Sequence, residues 1–112
     1  MMRPRTISAL VTQLEMLPEL QLHATLLAEL RDADLQFQEW SVYVGKKIFT
    51  ENGMFSLAEG IQAIREEATS LVLEYERSRQ LDRLVSQLRA IEQRLRALPA
   101  ELEKRAERNS PL

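Results

Sequence analysis

The chain has 112 residues, 45% of them hydrophobic and 29% charged, with 15 basic and 17 acidic side chains for a net charge of −2. This composition excludes intrinsic disorder on one side and a membrane-spanning run on the other, and it predicts one small, globular, soluble domain. The near-zero charge leaves no global field to draw the chain onto nucleic acid or an anionic membrane, and the absence of cysteine excludes disulfides, thiolate nucleophiles and thiolate metal sites.

At the N-terminus, Arg3 and Arg5 are basic, but Ile7 to Leu17 is interrupted by Ser8, Thr12, Gln13 and Glu15. No signal-peptide apolar region follows, so a cytoplasmic location is expected. Thr6 is a good N-cap for a first short helix that carries Ile7, Leu10, Val11, Leu14 and Leu17 on one face. Pro18 ends or kinks that helix and is itself suited to the first position of the next.

The second segment, Glu19 to about Thr50, places Leu22, Leu26, Leu30, Ala33, Phe37, Trp40 and Val44 at helical spacings of three and four. Leu20, Leu27 and Ile48 widen this stripe enough to pack against two neighbours. Between Ser41 and Phe55 the β-formers Val42, Tyr43, Val44, Ile48 and Phe49 also suit a short hairpin. Helix to about Thr50 is the preferred reading, with Lys46 and Lys47 in a last turn and Asn52-Gly53 as a left-handed cap.

Ser56 and Glu59 have the spacing of a capping box and predict the start of a third helix. Leu57, Ile61, Ile64, Ala68, Leu71 and Tyr75 continue it. Leu81, Leu84, Leu88, Ile91, Leu95, Leu98 and Leu102 then follow at alternating three and four. The register slips between Tyr75 and Leu81, where Glu74, Glu76, Arg77, Ser78, Arg79 and Gln80 supply no anchor, so a bend or break is expected there. Pro99 permits one more turn or two if it opens a new helix after a kink, Glu101 to Arg108 is charged enough to fray, and 109–112 reads as a tail after a single domain of 1–108.

At 1.5 Å per residue, a second helix of about 32 residues spans roughly 48 Å and a third of about 42 spans roughly 63 Å. The expected fold is therefore all-α: a long antiparallel helical hairpin plus a short N-terminal helix, completed to a bundle by dimerisation. Leu57 to Tyr75 is expected to pair with helix two. Leu81 to Leu102 is expected to form the interface with a second copy or a protein partner.

Chemistry is sparse. His23 is the sole histidine, four residues after Glu19, and no Glu-x-x-His pair accompanies it, so no metal site is expected. Glu66-Glu67 and Glu74-x-Glu76 point in different directions on a helix and read as solvated faces. No nucleophile elbow or phosphate-binding glycine loop is present, so neither catalysis nor a cofactor nor a small-molecule substrate is expected. Phe37, Trp40, Tyr43, Phe49 and Phe55 lie within 19 positions. They read mainly as core, with Trp40 and Tyr43 as an alternative interface anchor.

From Arg77 to Arg108 nine basic residues face five acidic ones, a local net of +4. Arg79, Arg83, Arg89 and Arg96 are accordingly the candidate contacts to a nucleic-acid backbone, although interspersed acids favour a solvated coiled-coil face. The favoured functional expectation is a non-enzymatic helical interaction protein, of the adaptor, small-chaperone or accessory-subunit kind. The alternative is a small dimeric nucleic-acid-associated regulator. Twelve arginines against three lysines suit a GC-rich bacterial or phage genome.

Overall fold

The computed structural model describes residues 6–45 and 51–108, and every regular element among them is helical. Helix α1 (Ile7–Glu15) leads through a 3-10 segment (Pro18–His23) into α2 (Ala24–Trp40), which ends in a π turn (Ser41–Gly45). Helices α3 (Glu51–Ser78) and α4 (Leu81–Arg108) follow, 28 residues each. The all-α expectation holds. Lys46, Lys47, Ile48, Phe49 and Thr50 lie outside the described residues, as do the side chains of Val44, Phe55, Ser56 and Leu57.

Thr6 caps α1 as its residue type predicts: Oγ1 accepts the Ala9 N–H at 3.0 Å. Pro18 occupies the first position of the following segment. That segment is wound as a 3-10 helix and not as the start of one long helix, which corrects the stripe. With 3.0 residues per turn in place of 3.6, Leu20 turns inward at 1% exposure, whereas Leu22 turns out to 93%. Beyond it the expected stripe is buried as read: Leu26, Leu30, Ala33 and Phe37 are all below 5% exposed.

The start of α3 is a second correction. The helix is already under way at Glu51, so Asn52-Gly53 lies in its first turn and the Ser56–Glu59 pair sits inside it.

The anticipated slip is a true break. Arg79 takes φ 58°, the left-handed cap conformation usually given to glycine. Its N–H donates to the Tyr75 carbonyl at 2.8 Å, and its guanidinium lies 5.8 Å from the centre of the Tyr75 ring. The expected 63 Å helix is thus folded in two, and α3 and α4 form the antiparallel hairpin of the fold. Past Pro99, α4 runs unbroken to Arg108. A proline inside a helix costs about 3 kcal/mol, but Leu98 and Leu102 on either side of it are 5% and 0% exposed. Burying a leucine contributes about 1.5–3 kcal/mol, so two of them offset the loss.

Helix order follows from side-chain ties. Ser8 meets Asp34 and Glu15 meets Arg31, so α1 and α2 are antiparallel. Glu29 pairs with Arg89 and Trp40 with Glu103, so α2 runs parallel to α4. Glu67 meets Arg94 and Glu74 meets Arg83, closing the antiparallel α3–α4 hairpin. Helix α4 is central, packed on both α2 and α3, while α1 leans on α2 and touches α3. The expected pairing of Leu57 to Tyr75 with helix two is therefore replaced by pairing with α4. The product is an elongated four-helix bundle, 52 × 23 × 22 Å.

Gly60 sits where α3 crosses the end of α4. A Cβ there would lie 3.4 Å from Leu98 Cδ1 and 3.6 Å from Leu102 Cδ2, which is ordinary contact. Gly60→Ala should therefore gain most of the roughly 0.8–1.0 kcal/mol of helix propensity and raise Tm by a few degrees in a thermal melt. Gly60→Leu has no room for its branch and should lower it.

Candidate interaction surface

The seven leucine-type positions 81 to 102 are core of the single chain. Leu84, Leu88, Ile91, Leu95, Leu98 and Leu102 are 0–5% exposed and Leu81 is half-buried. They are covered by α2 on one side and α3 on the other, so the seam expected to reach another chain is filled from within. The physical reason is the break at Arg79, which returns α4 onto the rest of the fold.

The arginines behave similarly. Arg89 pairs with Glu29 and, at 3.1 Å, with Glu92; Arg96 pairs with Glu92 and donates to Gln36 at 2.9 Å. Hydrogen bonds to Glu29 and then Glu92 hold Arg89 above its ordinary pKa, and one to Glu92 does the same for Arg96. Arg83 lies 3.5 Å from Glu74, and Arg79 covers the Tyr75 ring. The set expected to face phosphate is thus engaged within the chain, two of its members bolting α4 to α2.

Sequence reading missed the acids that organise these seams. Glu92 is 6% exposed between Arg89 and Arg96. Asp34 is fully buried, and its Oδ2 accepts the Ser8 N–H at 3.2 Å, the Ser8 hydroxyl at 2.8 Å and the Gln38 amide at 2.9 Å. Its Oδ1 has no hydrogen-bond partner among the described residues. The available signal was positional: Asp34 stands seven after Leu27 and four after Leu30, on the flank of the apolar stripe.

Tyr75 is a further buried polar tie, its hydroxyl donating to Glu19 Oε2 at 3.0 Å. Burial first, then the hydrogen bond to Glu19, push its pKa above the ordinary 10.0. A raised value in the folded chain means that the unfolded chain loses the proton first. This contribution to stability is intact below about pH 10 and lost as pH climbs through the raised value. Urea midpoints measured across that range should fall, and Tyr75→Phe should flatten the fall.

No cluster of three metal-binding side chains occurs among the described residues, His23 included, and no described helix is long and apolar enough to cross a membrane. The depressions along α3 are shallow and lined by such residues as Ala58, Gln62 and Glu66.

The two expected anchor residues are separated. Trp40 turns inward, half-buried, its indole N–H donating to Glu103 at 3.2 Å and its ring 5.8 Å from that of Phe37. Tyr43 is 71% exposed. With it, Leu35 and Val42 are 48% and 51% exposed. Helix geometry accounts for this. Leu26, Leu30, Ala33 and Phe37 face the core, Asp34 faces α1, and Glu29 and Asp32 face α4. The remaining side of α2 carries Ala28, Leu35 and Glu39 outward, with Val42 seven residues beyond Leu35 on the same line. No protein-family model, curated protein or solved structure matches the chain.

Proposed function

We propose that the chain is a non-enzymatic helical interaction module, of the adaptor, small-chaperone or accessory-subunit kind, that receives a protein partner on the outward side of α2. The observation that carries this reading is the exposure of Leu35, Val42 and Tyr43 on one side of a helix whose other sides are already engaged. The core is complete without them, so they contribute little to the fold. Exposed Tyr and Leu in a row are what a partner's apolar ridge buries. Glu39 flanks the row and favours a partner with a basic residue at its rim.

A photoreactive residue placed at Glu39 in the native host should yield a discrete adduct, absent when it is placed at Arg77 on the far side of the bundle. Adding Leu35→Ser and Tyr43→Ser should remove the adduct while changing stability by only about 0.5 kcal/mol, the usual scale for surface positions. Equal labelling at both sites would sink the reading. The nucleic-acid alternative draws less support, because phosphate contact would require Arg89 and Arg96 to leave their carboxylates. Binding to DNA or RNA that falls steeply with salt in a filter assay would restore it.

A further inference from the structure

We propose that α1 exchanges between two copies of this chain, through a hinge at 16–23 that rewinds from 3-10 to α-helix. This uses the α1 seam and not the outward side of α2, so either proposal stands or falls alone.

Helix α1 has nine residues, fewer than the roughly 12–15 an isolated helix needs to persist in water. It is held as a bound helix is held. Ile7, Leu10, Val11 and Leu14, at the first, fourth, fifth and eighth positions, are 0–2% exposed in the groove. The register is set by polar ties to α2: Ser8 donates twice to buried Asp34, and Arg31 reaches both Glu15 at 2.7 Å and Thr12 at 2.9 Å. A second copy's α1 would make the same contacts, which is why exchange costs little apart from the connector.

The connector is the irregular part. Its 3-10 run is six residues long, beyond the three or four that this geometry usually sustains. Leu17, at its N-cap, makes no side-chain cap. Met16 and Leu22, at 80% and 93%, are the two most exposed large apolar side chains among the described residues, and both belong to this connector.

Rewound as α-helix, 18–23 would continue α2 toward its N-terminus with Pro18 at the first position, where proline is favoured. Leu22 would then stand four residues before Leu26 and join the buried stripe. Leu20 would stand seven before Leu27 and keep its side of the helix. The parallel offset that pairs Glu29 with Arg89 puts Leu22 level with the start of α4, within the length of the bundle. A straight helix from Pro18 carries α1 away from its own groove and presents it to another copy. The transition gives up the Tyr75–Glu19 hydrogen bond and gains cover for Leu22.

The native chain has no cysteine, so a pair introduced at adjoining surface positions reports on the seam alone. Thr12→Cys and Arg31→Cys in one chain, treated with a short bis-maleimide, should bridge within the chain and establish the reach of the reagent. The two single variants, mixed as full-length chains, incubated at high concentration and then treated, should give a covalent dimer whose peptide map joins 12 to 31. Its yield should rise with chain concentration during incubation and fall several-fold when Leu22→Asp is added to both. Intrachain bridging in the double variant with no 12-to-31 dimer from the mixture would overturn the proposal, as would a dimer whose yield ignores Leu22→Asp.

Discussion

Leu88→Ala should lower the unfolding free energy of the isolated chain by about 2–5 kcal/mol, and Leu88→Asp should leave it unfolded. Leu88 is 0% exposed in the middle of α4, between Leu84 and Ile91, with α2 and α3 closing over it. Truncation removes three carbons from a site with no solvent access, and the rigid helices on both sides relax only partly into the gap. The measurement is a urea titration by circular dichroism at two chain concentrations a hundredfold apart. A loss of helix that does not depend on concentration places Leu88 in a monomer's core. Folded monomers released from a dimer by Leu88→Asp would instead show that this seam joins chains, contrary to the burial described above.

Asp34→Leu should destabilise by about 1–3 kcal/mol, the cost of leaving a buried donor without an acceptor. Two effects of opposite sign compete. Removing a fully buried carboxylate that forms no ion pair among the described residues relieves a desolvation penalty. The same change strands the Ser8 N–H and hydroxyl and the Gln38 amide, all of which donate to Asp34 Oδ2. The second effect wins in the single variant. Adding Ser8→Ala removes one of the three stranded donors, and the double variant should recover about a third of the loss. A double-mutant cycle on Ser8 and Asp34 measures this directly. Additive effects of the two changes would mean that the Ser8–Asp34 tie contributes nothing to the α1–α2 seam.

Several elements were legible because their causes are local. The Thr6 cap, the proline at position 18 and the apolar stripe of α2 each depend on residues within one or two turns of one another. So does the loss of anchors after Tyr75, and each is found where the residues place it. Asp34 escaped notice because a charged residue at the edge of a stripe looks the same whether the next helix is present or absent, and only the approach of Ser8 makes it structural. Glu92 differs: Arg89 and Arg96 stand three before and four after it on the same helix, and only its burial depends on the neighbouring helices.

Trp40 and Tyr43 were recognised together, but which of them turns inward depends on Glu103, 63 residues beyond Trp40. The leucines of α4 were recognised as a pairing seam, and their spacing carries no information about whose helix they meet.

The amino-acid order alone determined that this protein is helical and amphipathic and that its last long stripe is interrupted after Tyr75, because helix periodicity and anchor spacing act over a few residues. Tertiary structure decided the rest. It folded α4 back as the central helix, filled the leucine seam from within, and engaged the arginines with carboxylates of α2 and α3. These outcomes rest on contacts between residues tens of positions apart, where packing and ion pairing outweigh the weaker preferences of any single segment.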